Sequence, residues 1–405
     1  MAGILSGLRV VEGSAFVAVP LAGLTLAQMG ADVIRFDRIQ GGLDAHRWPV
    51  TANGTSLFWA GLNKGKRSLA VDMARPEGQE IVTALITAPG SDAGLFLTNL
   101  RVRGWMDWPA LSARRADLIM VSLAGTRRGE PAVDYTVNPA LGFPMATGPE
   151  GSDEPVAHVL PAWDCIAGQM VVNAALAAER HRLRTGAGQL VELSLKDVAA
   201  GMLGHLGIVG EVVANGVDRP KAGNALYGAF GQDFVTRDGQ RVMVIGLTDR
   251  QWRGLVTTLG LEGEIAALAA RLALDLRREG SRWAARAEIA ALMRPWFAAR
   301  DLADIAPLFD GAGLTWSVFR TFAGAVRDDP DLSPDNPMVA MVDHPGIGPL
   351  PTPGSPVSFG AAPRVPPGPA PRLGEHTEAI LAEVLGLSSG AIGRLVDTRV
   401  VAVAG

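Results

Sequence analysis

Asp164 is the residue whose type and position best suit covalent chemistry. It stands at the start of a long predicted helix, directly after Pro161-Ala162-Trp163. A carboxylate at this place can attack an activated acyl group and form a mixed anhydride, which is a reactive acyl carrier. The helix dipole and the amides of the first turn favour its ionised form. The same position also suits an N-cap, which accepts hydrogen bonds from those amides and does no chemistry.

The other reactive side chains are weaker candidates. Cys165 lies beside a carboxylate, which raises a thiol pKa, and the sequence shows no cationic partner for it, so an inert thiol is indicated. His158 and His205 are candidate bases, although one histidine in a loop and one on an apolar helix are more often structural. The six histidines include no pair at i and i+4 and there is one cysteine, so the sequence predicts no metal site.

Two loops could bind a ligand. The segment Asn63-Lys64-Gly65-Lys66-Arg67 places two ammonium groups beside a glycine, a pattern that suits phosphate and equally a solvated turn before a strand. The segment from Gly223 to Gly231 is spaced by glycines and is either a plain hinge or a lid that folds over a reacting group.

The elements that position these residues alternate between strand and helix in the N-terminal half. The predicted strands are Leu8–Glu12, Asp32–Phe36, Ser68–Asp72, Gly94–Thr98, Asp117–Leu123 and Gln189–Leu195. The predicted helices are Pro20–Met29, Pro76–Thr87, Trp108–Arg115, Asp134–Thr147 and Trp163–Arg184. Such alternation predicts an α/β fold with a doubly wound parallel sheet, whose ligands bind beyond the carboxyl ends of the strands.

The C-terminal half has a different pattern. A pair of strands, Leu226–Thr236 and Arg241–Leu247, flanks Asp238-Gly239 as in a hairpin and precedes arginine- and alanine-rich helices. Ten of the 27 prolines lie between 345 and 371, which predicts an extended arm, and a last helix follows at Thr377–Leu385. We therefore expect a large domain over 1–215, a linker at 216–225, a smaller α+β domain over 226–330, and an arm returning to the large domain over 331–405.

Composition excludes several classes of protein. The 405 residues are 48% apolar and 19% charged, which is typical of a globular chain. A net charge of -4 argues against a nucleic-acid partner, and a single cysteine suits a reducing compartment. The segment Val198–Ala214, with glycines at every third position, is too short and polar for a membrane span and predicts a buried, closely packed helix. With no secretory signal in the sequence, we expect a cytoplasmic protein without a membrane partner.

A nicotinamide enzyme is also disfavoured. Asp37 ends the second strand, where a dinucleotide fold places its ribose-binding acid. The turn after the first strand, however, lacks the G-x-G-x-x-G pattern that lets a pyrophosphate approach the backbone.

Ordered blocks along the chain resemble the family III CoA-transferases. The blocks are Gly7–Val11, Leu26–Arg35, Asn63–Arg67, Trp163-Asp164 with its helix, Thr185–Val191 and Leu373–Thr377, and the likeness runs from about residue 3 to 390. Within the family, the segments Val10–Arg38, Arg47–Val50, Ser56–Arg67 and Val133–Pro139 are most similar to members that move CoA between the two carboxyl groups of one mesaconate molecule.

The resemblance implies a set of functional residues. Asp164 matches the catalytic aspartate, which forms an aspartyl anhydride and then an aspartyl-CoA thioester. Arg38, Lys66, Asn99 and Arg103 match positions near the CoA nucleotide. The resemblance also implies an interlocked homodimer of ring-like chains, with CoA entering as part of the substrate and no other cofactor.

Departures from the family pattern narrow the chemistry. Formyl-CoA transferases have a glutamine where this chain has Val17, and consecutive glycines where it has Tyr227, Gly228, Ala229, Phe230 and Gly231. We expect Tyr227 and Phe230 to seal the substrate pocket and the amides from Gly228 to Gly231 to stabilise oxyanions. The racemases of the family have a histidine base at the position of Val133, so racemase chemistry lacks its acid/base partner here.

Three alternatives remain open on sequence alone. The nearest is CoA transfer from an acyl-CoA to a separate dicarboxylic acid. The others are an oxidoreductase and a catalytically silent CoA-binding or scaffold protein. The sequence does not identify the acyl group, the residues that hold the free carboxylate, or whether the free acid leaves between the half reactions.

Overall fold

A computed structural model describes residues 3–404 and divides the chain into two compact units. Of these residues, the large unit comprises 3–141, 159–209 and 329–404, and the small unit comprises Gly142–His158 and Gly210–Asp328. The sequence placed the small domain at 226–330. The small unit also takes in 142–158, since Gly223 N donates to Gly148 O (3.0 Å) and Arg286 pairs with Glu150 (2.5 Å).

The strands and helices have the following bounds. The strands are β1 Arg9–Gly13, β2 Asp32–Asp37, β3 Arg67–Val71, β4 Leu95–Thr98, β5 Ile119–Ala124, β6 Gln189–Ser194, β7 Phe230–Val235, β8 Arg241–Gly246, β9 Thr315–Val318, β10 Val339–His344, β11 Gly348–Pro353 and β12 Val401–Ala402. The helices are α1 Ala18–Gln28, α2 Leu57–Asn63, α3 Pro76–Ile86, α4 Trp108–Arg114, α5 Asp134–Ala140, α6 Phe143–Ala146, α7 Ala162–Thr185, α8 Leu195–His205, α9 Ile208–Asn215, α10 Asp249–Leu259, α11 Glu262–Leu272, α12 Glu279–Ala284, α13 Arg286–Ala298, α14 Leu302–Gly311, α15 Phe322–Asp328, α16 Thr377–Glu383 and α17 Ser389–Asp397.

The large unit contains the predicted parallel sheet. Its strand order is β12-β3-β2-β1-β4-β5-β6, and β1 to β6 all pair in parallel. Most residues of the central strands are apolar and buried, as expected of strands covered on both faces. The doubly wound sheet is therefore confirmed, and the chain order reverses between β1 and β4, where such sheets bind ligands.

The C-terminus extends this sheet in a way that the sequence analysis missed. After α16, which matches the predicted last helix, the chain forms α17 and then β12, which pairs antiparallel with β3. Asp72 N also donates to Val400 O (2.8 Å). The final residues thereby reach the carboxyl end of β3.

The small unit is built on a three-stranded antiparallel sheet in the order β7-β8-β9. The predicted hairpin is confirmed, with Phe230 opposite Gly246, Val235 opposite Arg241, and Gly239 at a φ of 76° in the turn. Its core is aromatic: Phe234 stacks on Phe297 with ring centroids 4.3 Å apart.

Two expectations about single elements were wrong, and the expected proline-rich arm contains a strand that the sequence analysis did not predict. The helix expected at Asp134–Thr147 is two helices, α5 and α6. Gly142 lies between them at a φ of 86°, which is not a right-handed helical conformation, so the first helix cannot continue into the second. The segment Val198–Ala214 is likewise two helices and is not buried, since Leu206 is 65% and Val213 81% exposed. Part of the proline-rich arm forms β11, where proline at every second position leaves the pairing with β10 intact.

Within residues 3–404, no single helix has the length and hydropathy of a membrane span. Helices α8 and α9 are long and apolar enough for a span only when they are taken together, and the chain bends by 60° between them.

Candidate active site

Asp164 is the third residue of α7 and does not cap it. The helix begins at Ala162, and its first amides are capped from another helix: Trp163 N and Asp164 N donate to Asp134 Oδ2 at 2.7 and 3.2 Å. The N-cap role considered for Asp164 is therefore wrong, since Asp134 fills it. Within residues 3–404 neither carboxylate oxygen of Asp164 takes part in a hydrogen bond or ion pair, and the residue is half-buried. Its carboxylate is therefore a candidate nucleophile.

Two neighbouring helices hold the start of α7 in place. Trp163, 5% exposed, donates from Nε1 to Asn138 Oδ1 of α5 (3.1 Å). One turn after Asp164, Gly168 lies against α1: a Cβ added there would stand 2.7 Å from Ala18 O. A larger residue at 168 would push α7 away from α1. Asp164 is thus fixed relative to the loop that joins β1 to α1.

The surroundings of Asp164 do not favour its ionised form as strongly as the sequence suggested. Burial raises the pKa of Asp164 to about 6, the Asp134 carboxylate adds to the rise, and the Arg47 guanidinium opposes it. The expectation that the helix dipole and first-turn amides keep the group ionised is outweighed by this desolvation. A pKa near 6 still leaves most of the carboxylate ionised at neutral pH, and a higher pKa makes it a more basic nucleophile.

This pKa predicts the acid limb of the pH profile. Because the nucleophile must be deprotonated, kcat/KM should fall by about tenfold per pH unit below pH about 6 and level off above it. Steady-state rates between pH 4.5 and 8, with unfolding followed in parallel, test this. A profile that stays flat down to pH 4.5 would contradict it.

Cys165 and His205 are weaker candidates for the reactive group than Asp164. Burial raises the pKa of the half-buried Cys165 thiol, and the carboxylates of Asp164 and Asp134 raise it further, as the sequence indicated. His205 is exposed at the end of α8. Among the described residues, no group of three or more histidine, cysteine, aspartate and glutamate side chains is placed to hold a metal ion.

The loop after β1 rests on a network of buried charges. Arg35, 1% exposed, donates to Asp37 (2.8 and 3.0 Å), to Asp44 Oδ1 (2.9 Å) and to the Ser14 carbonyl oxygen (3.3 Å). Asp37 is therefore occupied by Arg35, which argues against the ribose-binding role that its position suggested. The network fixes the backbone that leads into α1.

Lys66 belongs to this network and not to a phosphate site. Its Nζ donates to Glu12 Oε1 (3.0 Å), Pro20 O (2.8 Å) and Asn63 Oδ1 (2.9 Å), and the side chain is fully buried. An ammonium group with three partners has no free donor for a phosphate. The expectation that Lys66 contacts the CoA nucleotide is therefore not supported by its position.

Asn99 braces the same loop. Its side chain exchanges two hydrogen bonds with the backbone of Ala15, accepting from Ala15 N (2.9 Å) and donating to Ala15 O (2.8 Å). This pairing joins the end of β4 to the end of β1, where the sheet order reverses. Asn99 thus shapes the expected ligand crevice through the backbone of Ala15.

A groove of about 1120 Å³ opens at the carboxyl ends of β1 to β4. Its size suits a large cofactor, and it lies where ligands of a doubly wound sheet bind. Three arginines line it: Arg38 after β2, Arg101 after β4, and Arg399 just before β12. Arg103, which the resemblance assigned to the nucleotide, is exposed and does not line the groove.

The loop assigned to the substrate lies in the small unit, and only part of it is accessible. Phe230, 1% exposed, packs edge-on against Trp252 with centroids 5.4 Å apart. Gly231 is also buried, and a Cβ there would stand 2.7 Å from Ile245 and Leu226. Both therefore serve the small unit's core, and the expectation that Phe230 seals a pocket was wrong.

The other two loop residues remain available. Tyr227 is 39% exposed, hydrogen-bonds Glu211 through its hydroxyl, and lies under the Arg219 guanidinium at 4.3 Å. Gly228, at a φ of 80°, is half-buried. These contacts fix the conformation of the loop within the small unit.

Sequence reasoning missed four residues of the large unit. Asp134 was noted only as the start of a predicted helix, Arg47 only as part of a similar segment, and Arg101 and Arg399 not at all. The two carboxylates come together across 30 positions, and Arg399 arrives through the pairing of β12, so no local pattern could have revealed them. Arg101 lies two residues before Arg103, the arginine that the resemblance assigned to the CoA nucleotide.

Known proteins resemble this chain over almost its whole length. Residues 5–377 match the model of "CoA-transferase family III". The chain is 60% identical over 403 residues to the 2-methylfumaryl-CoA isomerase of Chloroflexus aurantiacus, covering 99% of this chain and 98% of that one. It is 29% identical to the succinate–glutarate CoA-transferase of Agrobacterium fabrum, covering 94% and 95%. A solved CAIB/BAIF family protein from Brucella suis is 27% identical, with a TM-score of 0.76 over 95% of this chain and 100% of that one.

Proposed function

The chain belongs to CoA-transferase family III and is an enzyme, and we propose that it moves CoA between the two carboxyl groups of one 2-methylfumarate (mesaconate) molecule. The observation that carries the proposal is Asp164. Its carboxylate is half-buried at the first turn of α7, has a pKa of about 6, and forms no hydrogen bond within residues 3–404. The 60% identity to a 2-methylfumaryl-CoA isomerase supports the substrate.

The first half reaction moves CoA onto the protein. The ionised Asp164 carboxylate attacks the thioester carbonyl at carbon 1, the C–S bond breaks, and CoA thiolate leaves a mixed anhydride behind. The thiolate then attacks the aspartyl carbonyl of this anhydride. That step forms an aspartyl-CoA thioester and releases the dianion of the acid into the pocket.

The second half reaction repeats these steps from the other end. The carboxylate at carbon 4 attacks the aspartyl thioester and expels the thiolate, which gives a new anhydride. The thiolate attacks its carbon 4 carbonyl, forms the product thioester and restores the Asp164 carboxylate. No proton, electron or further reactant is consumed, so we propose no cofactor beyond the CoA of the substrate.

Retention of the free acid separates this reaction from ordinary CoA transfer. A carboxylate held beside the aspartyl thioester reacts at an effective concentration of roughly 10⁵ M or more, while dissolved acids compete only at their bulk concentration.

Isotope exchange tests whether the acid stays bound. The enzyme is incubated with unlabelled 2-methylfumaryl-CoA and an excess of ¹³C-labelled free 2-methylfumarate, and the product is analysed by mass spectrometry. The proposal predicts isomerised product without label. Product labelled in proportion to the free acid would instead establish transfer to a separate acid, as in the succinate–glutarate CoA-transferase of Agrobacterium fabrum.

The groove at the carboxyl ends of β1 to β4 is the proposed CoA site. Arg38, Arg101 and Arg399 present guanidinium groups there, which bind phosphate through paired hydrogen bonds. The loop Ser14–Ala15 lines the same groove and leads directly into the region packed against α7. CoA bound along this loop would have its thiol end directed toward Asp164.

Arg101→Ala should raise the KM for the acyl-CoA by about 10- to 100-fold, because a charge-assisted hydrogen bond to phosphate is lost. Arg103→Ala is the matched control, because Arg103 is exposed on the same loop and does not line the groove. It should change the KM less than about twofold. An equal effect of the two substitutions would contradict this placement of CoA.

We propose that the chain works as a homodimer in the cytoplasm. Exposed apolar side chains on α9 and in the turn before it support a second copy as the covering partner, since Leu206, Val209 and Val213 are 65%, 47% and 81% exposed in one chain. Native mass spectrometry should give twice the chain mass of 42.4 kDa. A single-chain mass at micromolar concentration would contradict the dimer.

A further inference from the structure

Arg47 presents a guanidinium group that has aromatic neighbours and no anionic partner. Its Cζ lies 5.6 Å from the ring centroid of Phe16 and 5.1 Å from that of Phe58. Within residues 3–404 the guanidinium forms no ion pair and donates no hydrogen bond, and Arg47 is exposed. Contact with two rings restricts the side chain and leaves the N–H groups in the plane of the guanidinium available to an anion.

Hydrogen bonds fix the backbone segments that carry Phe16 and Phe58 relative to the segment that carries Arg47. Phe16 adopts a φ of 66°, a conformation that costs a bulky residue about 1–3 kcal/mol, and its N donates to the buried Asp44 (3.0 Å). Ser56 caps α2, which carries Phe58, and its hydroxyl donates to Arg47 O (2.5 Å). The position of the guanidinium is thus built by two separate loops.

Arg47 also acts on Asp164 without pairing with it. Its charge lowers the pKa of Asp164 against the effects of burial and of the Asp134 carboxylate. The two groups form no ion pair, so their charged atoms are more than 4.0 Å apart. Phe16, whose ring lies against Arg47, is two residues before Ala18, and a Cβ added at Gly168, one turn after Asp164, would stand 2.7 Å from Ala18 O. The segments that carry the guanidinium and the carboxylate therefore pack together. An acyl group attached to Asp164 would therefore be in the field of Arg47, and the open donor fork is available to a second carboxylate on that acyl group.

We propose that Arg47 binds the free carboxylate of the dicarboxylic acyl group while the other carboxyl group reacts at Asp164. The inference rests on the proposed function and assigns the residue that makes the site specific for a dicarboxylate. In the thioester and in the anhydride, one carboxylate is free and pairs with Arg47. When the acid is released from the anhydride, both ends are carboxylates, and Arg47 retains the molecule while they exchange places.

This role accounts for transfer within one molecule. The carbon 4 carboxylate lies at Arg47 in the first half reaction and must reach the aspartyl thioester in the second, so the carbon 1 carboxylate takes its place at Arg47. A single cation near Asp164 serves both ends in turn. Loss of that cation should let the dianion escape before the second half reaction.

The test compares wild type, Arg47→Met and Arg47→Lys with two acyl-CoA probes. 2-Methylfumaryl-CoA carries the free carboxylate, and crotonyl-CoA lacks it. Acylation of the protein is followed by trapping with hydroxylamine and mass spectrometry of the Asp164 peptide. The assays are run at pH 8, well above the pKa of Asp164, so that the rise in this pKa on loss of the Arg47 charge leaves the carboxylate ionised. Arg47→Met should then raise the KM for 2-methylfumaryl-CoA by about 10- to 100-fold, corresponding to a lost charge-assisted hydrogen bond, and leave labelling by crotonyl-CoA within about twofold of wild type. Arg47→Lys keeps the positive charge but not the paired N–H donors of the guanidinium, so its KM for 2-methylfumaryl-CoA should lie between those of wild type and Arg47→Met.

The isotope exchange described above supplies the second readout. Product formed by Arg47→Met should contain label from free 2-methylfumarate, because the unlabelled acid now escapes. Equal loss of labelling with both probes, or unchanged kinetics with 2-methylfumaryl-CoA, would overturn the role of Arg47. Wild-type protein that is not labelled at Asp164 by either probe would instead contradict the proposed function.

Discussion

Asp164→Asn is expected to lower kcat by at least roughly 10⁴-fold, and Asp164→Ala to abolish isomerisation, because neither side chain can form the anhydride. The amide of Asn is nearly isosteric with the carboxylate, and Asp134 still caps α7 through the amides of Trp163 and Asp164. The fold and CoA binding should therefore survive. Turnover by purified variants, with CoA affinity measured by calorimetry, checks both parts.

The same variant should be more stable than wild type. The pKa of Asp164 is raised from 3.8 in the unfolded chain to about 6 in the folded protein, so ionisation of this carboxyl group lowers the free energy of unfolding. The full loss of stability is present above pH about 6, and none is present below pH 3.8. At neutral pH, Asp164→Asn removes this cost and should raise the free energy of unfolding by about 1–3 kcal/mol. A gain in stability together with a loss of activity distinguishes a functional carboxylate from a structural cap, whose removal destabilises.

Asp134→Asn is the matched control for these effects. Its side-chain oxygen can still accept from Trp163 N, while the negative charge that helps to raise the pKa of Asp164 is gone. Activity should persist, and the acid limb of the pH profile should move to lower pH. Normal turnover by Asp164→Asn, or a loss of turnover by Asp134→Asn equal to that of Asp164→Asn, would contradict the assignment.

Lys66→Met is expected to destabilise the large unit by about 3–5 kcal/mol, since it leaves the fully buried Glu12 carboxylate without its closest cation. Burial lowers the pKa of Lys66 to about 8, so the ammonium is charged at neutral pH and its loss is uncompensated. The remaining cation near Glu12 is Arg35, at 3.8 Å, which is already engaged by Asp37 and Asp44. Urea unfolding measures the effect.

Lys64→Met provides the comparison. Lys64 is half-buried two residues away and lies outside the network, so its replacement should change the free energy of unfolding by no more than about 0.5 kcal/mol. If Lys66 held a CoA phosphate at an accessible surface, the two variants would be equally stable and Lys66→Met would raise only the KM. That outcome would show that the buried network is not formed as described.

The contrast between these two lysines shows how far sequence reasoning reaches. Apolar runs and helix periodicity located β1 to β6 and α7 within about two residues, because buried strands and a long helix leave local patterns. The segment Asn63–Arg67 looks like a solvated turn by the same standard. Lys66 is buried only because parallel pairing of β1, β2 and β3 brings Glu12, Arg35 and Asn63 around it.

In the candidate site, too, some features leave a local sequence pattern and others depend on tertiary contacts. Asp164 could be found from the helix that it opens and from the resemblance of its surroundings. The cap from Asp134, the contact of the Arg47 guanidinium with two aromatic rings, and the position of Arg399 in the groove that Arg38 also lines all depend on contacts between distant segments. Phe230 was misplaced for a related reason: it lies in both the predicted strand Leu226–Thr236 and the glycine-spaced loop that ends at Gly231, and the structure places it at the start of β7 in the core.

The central claim is that Asp164 becomes covalently attached to the acyl group and then to CoA. Its most direct test is mass spectrometry of the protein after incubation with 2-methylfumaryl-CoA and trapping with hydroxylamine or borohydride. We predict that the modification lies on the peptide containing Asp164 and is lost in Asp164→Asn. An unmodified Asp164 peptide in enzyme that is turning over substrate, or a modification on another residue, would contradict the account.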